Sequence, residues 1–247
     1  MRRVKFASSL AALCLLAACS STSEDVILVS AASSLTDAFS ALVEEFEERN
    51  PGVEVTLNTG GSSTLREQIL EGAPTDVFAS ANLSTMETLV AEGLTDGTPV
   101  GFATNRLQIA VPGGNPADIG GLEDFADETL LIGLCSPGVP CGDFAIEALA
   151  RAGVTPSVDT EEPDVRSLLA KIEAGELDAG ITYVTDVLAM NGRVQGIEIP
   201  PQANVEALYP ISVLADAPNP ELARRFVEFV LSDDGQAILL AHGFGLP

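Results

Sequence analysis

The sequence predicts an α/β protein in which a parallel or mixed sheet is covered by helices. Two observations carry this. Short apolar runs of strand length alternate with segments whose apolar residues recur at helical spacing, and the pair is completed three times by Gly93. Turn residues separate the runs: Asn50-Pro51-Gly52, Gly72 with Pro74, and Pro112-Gly-Gly-Asn-Pro116.

In order along the chain, Val26 to Val29 is an apolar strand, and Leu35, Ala38, Phe39, Leu42, Val43 and Phe46 then repeat as one buried helix face. Val53 to Leu57 alternates as a strand, and Leu65 and Ile69 mark a helix that Gly72 and Pro74 end. Asp76 to Ser80 reads as a strand, followed by a short helix bearing Met86, Leu89 and Val90. Leu107 to Pro112 is a buried-looking strand, and the pattern then restarts: Leu130 to Leu134 a strand, Asp143 to Ala152 a helix, Val165 to Ala174 a helix, Ala179 to Tyr183 a strand. A short helix around Val187 to Met190 follows, Val205 to Leu214 carries the chain back, and Glu221 to Leu231 forms a helix before a last segment, Gln236 to Gly243. The mature length suits one α/β domain or two lobes.

Two strand-to-helix junctions carry the chemistry. At Asn58-Thr-Gly-Gly-Ser-Ser-Thr64 and at Ser30-Ala-Ala-Ser-Ser-Leu-Thr-Asp37, small and hydroxyl-bearing residues run into a helix start. The first amides of a helix have no intrahelical acceptor and lie at the positive end of its dipole, so such a junction can hold an anion. Ser34 and Ser62 could equally be ordinary N-caps, since serine is favoured there in any helix.

The N-terminus reads as an export signal: Arg2, Arg3 and Lys5 precede an apolar run from Phe6 to Leu16, too short to span a bilayer. Leu16-Ala-Ala-Cys19 resembles the lipobox of bacterial lipoproteins, with residues 1–18 removed, Cys19 acylated and residues 19–25 a tether; cleavage that leaves Cys19 unmodified is the alternative. Loss of residues 1–18 takes three of the twelve basic residues and no acidic one, so the formal charge moves from −24 to −27. Nucleic acid is therefore a poor partner, because it needs clustered Lys and Arg. Cys14 leaves with the signal, and Cys135 and Cys141 remain as a close pair, which outside the cytoplasm is usually oxidised. A zinc site is disfavoured, since there is no second cysteine pair and the one histidine, His242, is far away in the chain.

Six segments in order, Ala31 to Ala38, Gly61 to Ile69, Gly72 to Phe78, Val139 to Gly142, Asp164 to Arg166 and Gly180 to Tyr183, resemble the periplasmic molybdate-binding proteins of bacterial ABC importers. The resemblance covers essentially the whole mature chain. It implies a two-lobed type II periplasmic binding protein: residues 26–104 and 205–247 in lobe 1, residues 105–204 in lobe 2, the ligand in the cleft between them. It also implies an extracytoplasmic, membrane-anchored receptor, a monomer with no cofactor and no catalysis, that passes molybdate or tungstate to a membrane permease. The ligand-holding positions it carries over are Ser34 and Ser62 through hydroxyl and amide, Cys141 and Val165 through the amide, and Tyr183 through its hydroxyl. Cys141 stands where the family commonly has alanine, so its amide is the expected contact and its sulfur would be tied to Cys135.

Two rival readings follow from the same residues. One is a receptor for sulfate or another small oxyanion. The other is an exported serine-dependent enzyme, against which stand the absence of a Gly-x-Ser-x-Gly elbow and the single histidine.

Overall fold

The computed structural model describes residues 25–247, so the export signal, the lipobox with Cys19 and all but the end of the tether lie outside the described residues. From Asp25 the chain forms β1 (Asp25–Ala32), a 3-10 turn (Ser33–Leu35), α1 (Thr36–Arg49), β2 (Val53–Gly60), α2 (Ser62–Leu70), β3 (Val77–Ala79), α3 (Leu83–Ala91) and β4 (Val100–Pro112). It continues through β5 (Ile132–Cys135), α4 (Pro140–Ala152), β6 (Thr160–Glu162), α5 (Val165–Glu173), β7 (Ala179–Tyr183), α6 (Val184–Ala189) and β8 (Val194–Glu198). It returns in β9 (Glu206–Val213) and ends in α7 (Pro220–Leu231) and α8 (Asp233–Ala241).

The strands form a mixed sheet in the order β2-β1-β3-β9-β4-β7-β5-β6, with β8 on β4. β1 lies parallel to β2 and β3, and β5 parallel to β6 and β7, whereas β9 runs antiparallel to both β3 and β4. β4 is the long strand that joins the two groups. Its residues Val100 to Arg106 pair with β9, and from Leu107 onward it pairs with β7 and β8. The α/β expectation therefore holds.

Differences from the sequence reading have local causes. β4 starts seven residues earlier than the run Leu107 to Pro112, because Val100 to Arg106 mixes polar and small residues that pairing with β9, not apolarity, holds extended. β6 and β8 are short and only partly buried, with no apolar run to announce them. Val90 is 44% exposed, so α3 buries Met86 and Leu89 but not the third predicted residue. The last segment is a helix, α8, capped by Ser232 through the Gly235 amide.

Packing ties the elements to the middle of the molecule. Phe39 on α1 packs edge-on against Phe102 on β4, with ring centroids 5.8 Å apart, and Phe46 meets Phe226 on α7 at 5.2 Å. The aromatic contacts continue from Phe102 to Tyr209 on β9 and from there to Tyr183 at the end of β7, 5.9 Å away. Asp76, fully buried before β3, accepts the amides of Leu28 and Asn219 at 2.7 and 2.6 Å, joining β1 to the start of α7. A buried carboxylate with amide donors on both oxygens is a satisfied structural group.

Candidate functional site

The carboxyl ends of β1, β2 and β7 and the starts of α2, α4 and α5 meet around a small cavity lined by Ser34, Ser62, Cys141, Val165 and Tyr183 with their neighbours. All five residues expected to hold a ligand are thus brought to one place. The cavity is tight, with room at its centre for little more than one water-sized body. A larger groove runs beside it past Asp37, Leu188, His242 and Phe244 and shares Ser34.

Neither serine is an N-cap. Ser34 sits inside the 3-10 turn that precedes α1, and its hydroxyl lies 3.0 Å from the hydroxyl of Tyr209. Ser62 is the first residue of α2, whose N-cap is Gly61, and its Oγ accepts the Ala81 amide at 3.0 Å. Both side chains are nearly fully buried. The capping alternative is thereby removed: these hydroxyls serve the space between elements, not their own helices.

The helix starts leave selected amides free by how they are capped. On α5 the Asp164 carboxylate takes the amides of Arg166 and Ser167 at 2.8 and 3.0 Å, which passes over Val165, the first helical residue. On α4 the carbonyl of Val139 takes the amides of Gly142 and Asp143 at 2.9 and 3.0 Å and passes over Cys141. An amide in the first turn has no intrahelical acceptor, so Val165, Cys141 and Ser62 keep donors at the positive ends of three helices. Asp164 itself borders the cavity, an acid the sequence reading did not expect there, but its Oδ1 is engaged by its own helix.

Cys141 is joined to Cys135 across a six-residue separation, as the paired cysteines predict. Its sulfur is therefore occupied and only its amide is available. Gly142 next to it admits no side chain, since a Cβ would fall 2.3 Å from the Ser136 carbonyl oxygen. That close approach seats the start of α4 against the end of β5.

Tyr183 completes the wall. It is 1% exposed, and its hydroxyl has no hydrogen-bond partner; the neighbouring Tyr209 hydroxyl is near enough to perturb it without making a bond of acceptable geometry. Burial, then the proximity of Tyr209 and Asp186, pushes the Tyr183 phenol well above its ordinary range, so it stays protonated and can only donate or accept as a neutral hydroxyl. An unpaired buried hydroxyl costs on the order of 1–3 kcal/mol, which an acceptor in the cavity would recover. The set is the Ser62 hydroxyl with the Ala81 amide already on its oxygen, the Ser34 hydroxyl paired with that of Tyr209, one unpartnered phenol and helix-start amides. Apart from the Asp164 carboxylate, it presents chiefly hydrogens and suits an anion that needs only donors.

Several contacts close the two strand groups over this cavity. The Ser63 hydroxyl donates to the Gly138 carbonyl at 2.5 Å, and Arg166 pairs with Asp37 and reaches the Ser33 carbonyl at 3.3 Å. Gly61 lies against residues 163 and 164, where a Cβ would be 2.6 Å from the Pro163 carbonyl oxygen. Among the described residues no group of three or more His, Cys, Asp or Glu side chains is arranged to hold a metal ion, and no helix is long and apolar enough to cross a membrane.

Comparison with known proteins agrees with this architecture. The family described as bacterial extracellular solute-binding protein matches residues 27–245. The molybdate-binding protein ModA of Mycobacterium tuberculosis (strain ATCC 25618 / H37Rv) is 38% identical over 221 residues, which cover 90% of this chain and 85% of that protein. Among solved structures, the periplasmic molybdate-binding protein of Azotobacter vinelandii superposes with a TM-score of 0.77 at 21% identity, covering 90% of this chain and 99% of that one. The sulfate-binding protein SubI from Mycobacterium tuberculosis H37Rv superposes with a TM-score of 0.79 at 20% identity, covering 89% and 86%. At such identities the two structures speak for the fold, a type II periplasmic binding protein, and not for the ligand.

Proposed function

Because the chain belongs to the bacterial extracellular solute-binding proteins, we propose that it captures molybdate, and tungstate with it, and delivers the anion to the membrane permease of an ABC importer. The observation that carries the ligand class is the convergence of helix-start amides and hydroxyls on one cavity, above all the buried Tyr183 hydroxyl that has no partner among the described residues. Molybdate is a fully deprotonated tetrahedral dianion and needs no acceptor from its site. The 38% identity to a molybdate-binding relative supports that anion over sulfate.

In this reading Ser34 and Ser62 donate through hydroxyl and amide, Cys141 and Val165 through the amide, and Tyr183 through its phenol. Residues 26–104 with 205–247, and residues 105–204, act as lobes that swing about β4 and the return into β9. The ties across them, Ser63 to Gly138 and Arg166 to Asp37, belong to the closed state. Closure is driven by the ligand, because only the closed state has all donors on one anion. The protein catalyses nothing; it recognises and releases, and a lipid on Cys19 keeps it at the membrane.

Isothermal titration of the purified protein with molybdate, tungstate, sulfate and hydrogen phosphate tests the reading. Tight binding of molybdate and tungstate, with sulfate and hydrogen phosphate far weaker, is the expected result. Equal or tighter binding of sulfate would transfer the assignment to that anion. Mass spectrometry of protein from its native membrane should find a diacylglyceryl group on Cys19.

A further inference from the structure

Behind Ser34 stand two buried residues that do not line the cavity. Tyr209 is fully buried on β9, its hydroxyl 3.0 Å from the Ser34 hydroxyl. Asn105, 4% exposed on β4, directs its amide nitrogen to Thr185 Oγ1 at 2.8 Å and to the Tyr209 hydroxyl at 3.5 Å. Its own oxygen accepts the Arg106 amide at 2.9 Å, which settles which end of the side chain faces Tyr209.

The proton directions follow. An amide NH2 only donates, so the Tyr209 oxygen accepts from Asn105 and its proton must go elsewhere. The Tyr183 hydroxyl lies close but not in hydrogen-bonding geometry, which leaves Ser34 Oγ, 3.0 Å away, as the acceptor for the Tyr209 proton. Ser34 then has a single proton left, and the cavity is where it can go. Ser62 is treated in the same way by a backbone donor, the Ala81 amide. The two serines reach the same state by different means.

We infer that Tyr209, oriented by Asn105, is a positioning residue that fixes the Ser34 hydroxyl as a donor to the anion and thereby disfavours anions that carry a proton, such as hydrogen phosphate. The inference deepens the oxyanion reading and rests on it. Without Tyr209 the Ser34 hydroxyl can rotate and offer a lone pair to an acidic ligand proton, so selectivity as well as affinity depends on the relay. Because Tyr209 acts only through Ser34, its effect must vanish when the Ser34 hydroxyl is gone.

The test is a double-mutant cycle on the whole protein with molybdate and hydrogen phosphate as probes. Tyr209→Phe keeps the ring contacts to Phe102, Tyr183 and Phe244. It is expected to lower molybdate affinity by roughly tenfold and to narrow the molybdate-to-phosphate ratio. In a Ser34→Ala background the same change should alter molybdate affinity less than about twofold. Asn105→Ala, which leaves every ring in place, should give a smaller loss that also vanishes in the Ser34→Ala background, and it carries the cycle should Tyr209→Phe fail to fold. Loss by the same factor in both backgrounds, or no loss in either, overturns the inference while leaving molybdate binding by the parent intact. If the parent binds no tetrahedral oxyanion, the functional reading fails and the relay fails with it.

Discussion

Single residues at this site combine opposite effects on binding and on folding. The Tyr183 hydroxyl is buried without a partner, a cost the free protein bears and the complex recovers. Tyr183→Phe is therefore expected to weaken molybdate binding by about ten- to a hundredfold while leaving the free protein as stable as the parent or about 1 kcal/mol more so. Titration calorimetry and thermal melts without ligand read the two effects separately. Ser62→Ala should lose affinity by a similar factor but also lose about 1 kcal/mol of stability, because the buried Ala81 amide is left unpaired. Asp186 adds a pH dependence. Burial pushes its carboxyl up to about 7, against the lowering effect of Arg166 and of the Tyr183 amide it accepts, while Asp37 and Asp164 raise it further. Its folded value lies above the unfolded one, so between about pH 4 and pH 7 the native state holds a proton that the unfolded chain has lost. Stability must then fall as pH rises through that window, by up to about 4 kcal/mol from this group. Asp186→Asn, permanently neutral and still able to accept the Tyr183 amide, should flatten that slope in melts taken from pH 4 to pH 8. At this scale the sequence pointed to Ser34 and Ser62 through their helix starts, with capping as the alternative, and to Tyr183 only through resemblance. Tyr209 and Asn105 were not legible at all: they lie on strands far away in the chain, and only pairing of β4 with β9 brings them to Ser34.

The elements that build the site were more legible than the contacts they make. Apolar periodicity located α1, α2, α4, α5 and α7 because each has one buried stripe, such as Leu168, Leu169 and Ile172 on α5. It missed β6 and β8, which are held by pairing to neighbours and have no stripe of their own. The capping of α5 was not read from the sequence: that Asp164 caps it and leaves the Val165 amide free follows from which amides it takes. The start of α4 depends on a covalent tie. The Cys135–Cys141 bridge closes a ring so short that chain entropy accounts for only roughly 2 kcal/mol. Its position matters more, because the ring holds both the Cys141 amide at the cavity and the Gly138 carbonyl that Ser63 grips. Reduction should accordingly lower molybdate affinity by a larger factor than it lowers the unfolding constant of the free protein. Ligand titration with and without reductant, alongside melts under the same conditions, checks this; equal affinity in both redox states would confine the bridge to loop stability.

For the molecule as a whole, the decisive question is what lets the two strand groups come together over the anion. The acidic surface, with a formal charge of −24 for the full chain, opposes an anionic ligand at long range, so in the proposed reading capture rests on short-range donors that converge on closure. Convergence needs α2 to press its start against residues 163 and 164, and Gly61 is what permits it. Its backbone, at φ −58 and ψ 130, suits any residue, so glycine is not required for conformation. It is required for space, since a Cβ there would sit 2.6 Å from the Pro163 carbonyl oxygen, a backbone atom that cannot swing aside. Gly61→Ala therefore separates folding from closing. Within its own half the alanine is unstrained and removes some freedom from the unfolded chain, so the free protein should melt at the parent temperature or slightly above, by up to about 1 kcal/mol of added stability. Across the cleft the methyl group acts as a wedge. Molybdate affinity should drop by more than about tenfold, and the compaction that molybdate produces in the parent, read by small-angle scattering, should shrink or disappear. A variant that melts lower and still compacts on molybdate would mean that Gly61 serves the fold of its own half and that closure is accommodated elsewhere.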